Sequence, residues 1–144
     1  MTFRAILTGI LICFVVACAV APEEINYHAD ACAYCRMQIS DARFGAELVT
    51  RKGKVYKYDS SECLFHALSE NNPDEYQYIL VTDYTIPGEL IDARSARFLV
   101  SPGRQSPMGG NLSAYAVEST AQAVQAEVGG ELFDFNEMLE HASR

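Results

Sequence analysis

The sequence predicts an α+β fold of two tandem ββαβ subdomains behind an export leader. Three observations carry that prediction. An apolar N-terminal run is too short to span a bilayer, hydrophobic periodicity orders the next elements as strand, strand, helix and strand, and the same order recurs after a Pro87-Gly88 break. A chain of 144 residues fits one ordinary domain or two very small ones, and a hydrophobic fraction of 49% supplies a core. The net charge of −8, from 11 Lys+Arg against 19 Asp+Glu, leaves no basic footprint for a phosphate backbone, so no nucleic-acid partner is expected.

Met1 to Arg4 supply one positive charge, and Ala5 to Ala17 form an uncharged apolar run, which is the anatomy of a secretory leader. A spanning helix needs about 20 residues, and the acidic Pro22-Glu23-Glu24 follows at once. Val15-Val16-Ala17-Cys18 resembles a bacterial lipobox, in which the cysteine is acylated and the chain is cut just before it. Residues 1–17 are therefore expected to be a lipoprotein signal peptide, Cys18 the lipidation site, and 18–31 a tether. Losing 1–17 removes only Arg4, so the mature chain carries 10 basic against 19 acidic residues, or −9.

The first subdomain, 32–86, opens with β-rich runs at Phe44 to Thr50 and Lys54 to Tyr58, joined by Arg51-Lys52-Gly53 with glycine at the tight turn. Ser60 or Ser61 caps a helix whose Leu64, Phe65 and Leu68 fall at helical spacing and which ends near Asn71-Asn72-Pro73. Tyr76 to Asp83 alternates as a strand. In the second subdomain, 87–144, Ala93 to Val100 and Leu112 to Glu118 are expected strands around a Ser101 to Gly110 loop rich in proline and glycine. Ser119 or Thr120 is the expected cap of a helix through Val128, stopped by Gly129-Gly130. A short strand, Glu131 to Asp134, and a helix from about Phe135 to His141 close the chain.

The chemistry lies in the sulfur. Cys13 leaves with the leader and Cys18 is the lipid site, so Cys32, Cys35 and Cys63 remain, and three cysteines cannot all pair within one chain. The centre is Cys32-Ala33-Tyr34-Cys35-Arg36-Met37. Its Cys-x-x-Cys reads as a structural disulfide, as a thiol-disulfide oxidoreductase pair, or, joined to Cys63 and His66, as a structural zinc site. A fourth reading uses Met37: in an extended segment Cys35 and Met37 project to one side, and a thiolate with a thioether selects Cu(I). Met108 lies in Ser106-Pro107-Met108-Gly109-Gly110, a loop unsuited to core packing that can present one side chain, whereas Met138 falls at core spacing with Phe135 and Leu139.

Cys32-x-x-Cys35-x-Met37, Arg43-Phe44, Tyr58-Asp59, Glu62-Cys63-Leu64 and the Ser106-Pro107-Met108-Gly109 loop, in that order, resemble the NosL family of nitrous oxide reductase accessory lipoproteins. The likeness covers about residues 30–118 and the lipobox. It implies a tandem ββαβ fold and an exported lipoprotein, held at a bacterial membrane by its lipid and facing the periplasm or exterior. It further implies binding of one Cu(I) and delivery to nitrous oxide reductase or another exported copper protein. The family's copper ligands fall on Cys35, Met37 and Met108, with Cys32 and Cys63 as further candidates. Arg36 stands where the family commonly has glycine, a departure in backbone freedom and not in ligands. No catalytic triad, phosphate loop or paired acids in a motif accompany these residues, so the expectation is a metallochaperone and not an enzyme.

Overall fold

The computed structural model describes residues 19–144; the expected leader and Cys18 lie outside the described residues. Strands β1 (Ala46–Thr50) and β2 (Val55–Tyr58) pair antiparallel from Ala46↔Tyr58 to Val49↔Val55. Their connection turns at Gly53, whose φ of +85° suits glycine and whose N–H donates to the Thr50 carbonyl at 2.9 Å. Helix α1 (Ser61–Ser69) starts at Ser60, whose side chain accepts from the Cys63 N–H, and buries Cys63, Leu64, Phe65, Ala67 and Leu68. A 3₁₀ turn at Pro73–Glu75 leads to β3 (Tyr76–Thr82), which pairs with the other side of β1.

β4 (Leu90–Asp92) returns along β3 and completes a four-stranded antiparallel sheet in the order β2-β1-β3-β4. The first sheet thus extends past the Pro87-Gly88 break. The strand expected from Ala93 begins only at Arg97, because Asp92 turns the chain: its side chain accepts the Arg94 N–H at 2.9 Å and its carbonyl the Ser95 N–H at 3.2 Å.

The second sheet has the order β6-β5-β7, from β5 (Arg97–Val100), β6 (Leu112–Tyr115) and β7 (Glu131–Phe133), with α2 (Glu118–Val128) between β6 and β7. The order ββαβ therefore occurs twice, as expected of an α+β chain. The cap of α2 differs from expectation: Val117 holds the N-cap position without a side-chain bond, and Ser119 and Thr120 lie inside the first turn. α3 (Phe135–Ala142) starts at a capping box between Asp134 and Glu137.

One core joins the two units. The Phe65 ring meets Phe98 edge-on at 5.0 Å and Phe135 at 5.7 Å, so α1 of the first unit packs on β5 and α3 of the second. Within the expected tether, Ile25 is buried, the Glu23 N–H donates to Glu47 Oε1 at 3.0 Å, and Ala31 bridges Gln38. Burial of Ile25 offsets the ordering of a segment whose charged residues alone would leave it free.

Candidate metal centre

The Cys32-to-Met37 segment is the loop of a small hairpin closed by the Ala31↔Gln38 bridge. It is not extended, contrary to the spacing argument for Cys35 and Met37. The Cys32 carbonyl accepts the Arg36 N–H at 3.1 Å, and the Cys32 N–H donates to the Met37 carbonyl at 2.8 Å. Arg36 takes a φ of +68°, the left-handed region that favours glycine, so this turn is one in which a glycine would relieve the backbone. The turn is fixed to the end of β2 by the Ala33 N–H on the Lys57 carbonyl at 2.8 Å.

β2 runs directly into Asp59, Ser60 and the first turn of α1, and this brings Cys63 against the loop. The sulfurs of Cys32, Cys35 and Cys63 all lie within 4.8 Å of one another. Cys32 and Cys63 are 0% exposed, while Cys35 is partly open, so solvent reaches the cluster through Cys35. His66 is not in this group: its ring stacks on Tyr34 at 5.4 Å, and the zinc reading loses its fourth ligand among the described residues.

The three thiols are electrostatically unequal. Hydrogen bonding from Cys63, with backbone amides of Asp59, Cys35 and Tyr34, outweighs burial and lowers the Cys32 thiol to about 5. Cys63 is pushed far up, first by that same bond and then by burial. Cys35 is raised by burial and by the neighbouring Cys32 sulfur. Asp59, almost fully buried with neither carboxyl oxygen partnered, is raised by burial and by Cys32. Among the three, hydrogen bonding favours loss of the proton from Cys32, and burial favours its retention on Cys35 and, with the same bond, on Cys63.

Met37 is 51% exposed and Met108 39%, unusual for methionine, while Met138 is buried in the core. The Met108 loop is fastened to the helix that carries Cys63. Glu62 Oε1 accepts from the Ser106 hydroxyl and from the Leu112 N–H at 3.3 Å, and Ser106 Oγ accepts from the Asn111 N–H at 2.9 Å. Gly110 permits the approach, since a Cβ there would stand 3.0 Å from Glu62. The structure thus brings Cys35 together with Cys32 and Cys63, and leaves the thioethers of Met37 and Met108 at the surface. The roles of Glu62 and Ser106 escaped the sequence reading; an acid next to Cys63 was visible, its partner 44 residues away was not.

Comparison with known proteins adds three findings. The family model described as NosL matches residues 24–143. The copper-binding lipoprotein NosL of Stutzerimonas stutzeri is 30% identical over 125 residues, a match covering 81% of this chain and 66% of that relative's own length. The crystal structure of the copper chaperone NosL from Shewanella denitrificans aligns with a TM-score of 0.64 at 25% identity, over 81% of this chain and 96% of that one.

Proposed function

From the premise that this chain belongs to the NosL family, we propose that it is an exported, lipid-anchored Cu(I) metallochaperone that hands copper to nitrous oxide reductase or another exported copper enzyme. The observation that carries the proposal is the convergence of three sulfurs within 4.8 Å, with Cys35 alone among them open to solvent. Soft donors of this kind select Cu(I) over harder divalent ions. Cys35 is the entry thiolate, Met37 on the same loop and Met108 on the Glu62-held loop are the thioether donors, and Cys32 and Cys63 lie behind Cys35. The names of the relatives, a copper-binding lipoprotein and a copper chaperone, support the cargo and the anchor.

Delivery needs few, exchangeable ligands. Both exposed methionines can leave the ion while a client thiol or imidazole enters, so the transfer passes through a shared complex and not through free Cu⁺. The acid Cys32 would suit an oxidoreductase, but complete burial of Cys32 denies it to an incoming disulfide.

Anaerobic Cu(I) competition titration of the parent, Cys35→Ser, Met37→Ala and Met108→Ala tests the site. Cys35→Ser weakens binding most and each methionine variant less; a Met108→Ala protein as tight as the parent removes the loop from the site. Mass spectrometry of the native protein reports whether Cys18 is the acylated first residue. Deletion of the gene in a denitrifying host, with reductase copper content measured under copper limitation, tests the client.

A further inference from the structure

We infer that the β1–β2 hairpin tip, Arg51-Lys52-Gly53-Lys54, docks on anionic phospholipid headgroups beside the lipid anchor and so turns the sulfur cluster away from the membrane; the inference rests on the reading of Cys18 as the lipid site. The first observation is charge. Three of the ten cations of the mature chain fall within four residues of a chain whose net charge is −9. All three are exposed, and among the described residues none is in an ion pair, whereas Arg43, Lys57 and Arg97 are. Arg51 is steadied by Nε on the Asp74 carbonyl at 2.7 Å and Lys54 lies 4.6 Å over the Tyr56 ring, so the tip is an ordered surface. Glu75 is the one acid lining the depression beside these cations.

The second observation is the path of the segment before Ile25. Lys57 Nζ holds the Glu24 carbonyl at 2.7 Å, so the segment before Ile25 lies beside edge strand β2. It continues to the hairpin tip, where Val20 Cγ2 stands 3.8 Å from the position of a Cβ on Gly53. Cys18 is two residues before Val20, within about 7 Å of chain. An acyl chain on Cys18 therefore enters the bilayer next to Arg51, Lys52 and Lys54.

The third is what lies at the other end. The Cys32 loop is pinned to Lys57 and Cys63 follows the end of β2, so the cluster is seven residues of chain from Lys52 at Asp59, roughly 20 Å at ~3.3 Å per residue. That exceeds the Debye length of about 8 Å at physiological salt, so charge at the cluster is screened from the headgroups that the hairpin touches, and Glu75 is the acid that offsets the tip's cations locally. Each cation near an anionic surface strengthens attachment roughly fivefold. A lipid alone leaves the domain free to tumble about its anchor. The basic tip fixes one orientation, with Cys35 accessible to a client.

The test is hydrogen exchange of the native protein reconstituted into vesicles of phosphatidylcholine alone, or of phosphatidylcholine and phosphatidylglycerol in equal parts. The amides of residues 51–54 are expected to exchange severalfold more slowly on the anionic vesicles only, with those of 34–37 and 106–110 unchanged. The difference disappears in Lys52→Gln/Lys54→Gln and as salt rises from about 0.05 to about 0.5 M, while Cu(I) affinity of the variant equals the parent's. Equal exchange on both vesicles, or protection at 34–37 in place of 51–54, overturns the inference. Should Cys18 carry no acyl group, the anchor reading fails separately, and co-sedimentation with the same vesicles reads the hairpin: the parent prefers the anionic ones by tenfold or so and the double variant does not, and no preference overturns it.

Discussion

Glu62→Ala is expected to lower stability by about 2 kcal/mol and to loosen the loop that presents Met108. Glu62 Oε1 takes two bonds, one from the Ser106 hydroxyl and one from the Leu112 N–H. A bond to a charged group contributes roughly 1.5–3 kcal/mol, and the Leu112 bond at 3.3 Å belongs at the weak end of that range. Against these stands Oε2, buried without a partner, whose desolvation of about 1–3 kcal/mol alanine relieves. The bonds win by about 2 kcal/mol. Glu62→Gln keeps an acceptor at Oε1 and removes the buried charge, so it should stay within about 1 kcal/mol of the parent. Urea unfolding measures both variants, and Cu(I) competition should show roughly tenfold weaker binding for alanine alone, because Met108 must then be ordered at the moment of binding. An alanine variant with parental stability and parental Cu(I) affinity would refute the claim that Glu62 holds this loop for the ion.

Three further outcomes are expected. Between about pH 9 and 5 the unfolded chain binds the proton that folded Cys32 has lost, so stability of the metal-free, reduced protein falls as the pH drops through that window, and the contribution is gone below about 5. On the alkaline side Cys63 and Cys35 keep protons that the unfolded chain has released, so stability falls again; thermal melts against pH show a maximum, and Cys32→Ser lacks the acid-side fall. Arg36→Gly preserves the loop and gains up to about 1 kcal/mol by relieving the positive φ, while β-branched Arg36→Val costs about 1–2 kcal/mol, both read by chemical denaturation. Cys63→Ser, behind the entry thiol, weakens Cu(I) by roughly tenfold at most, well short of Cys35→Ser; equal losses in the competition titration would make Cys63 a ligand in its own right.

Local chemistry was legible in the sequence and long-range closure was not. Gly53, the Ser60 cap and the Pro-Gly loop around Met108 follow from backbone preferences within a few residues, and the structure has them. The two-residue spacing of Cys35 and Met37 pointed to an extended strand because alternation assumes regular geometry. The actual turn is closed by Ala31↔Gln38 and fixed to the sheet by the Lys57 carbonyl, a contact that no local window contains. Ile25 reads as part of a tether until the sheet that buries it exists. Gathering Cys32 and Cys35 with Cys63 likewise requires β2 to run straight into α1, which a list of cysteines does not reveal.

Charge decides how far into the cluster the ion should go. One thiolate with two thioethers makes a neutral complex with Cu⁺, whereas three thiolates would leave a double negative charge against two fully buried sulfurs and the unpartnered Asp59. The hydrogen bond between Cys63 and Cys32 lowers the Cys32 thiol and raises the Cys63 thiol, so the inner pair favours sharing a proton. On the proposed ligand set, an ion at the partly open Cys35 would gain little by moving inward. Burial and the Cys32 sulfur also favour the protonated form of Cys35 in the absence of metal, and a protonated thiol is a poor nucleophile. Cys32 and Cys63 thus stand behind an outer thiol that keeps its proton until a soft cation displaces it.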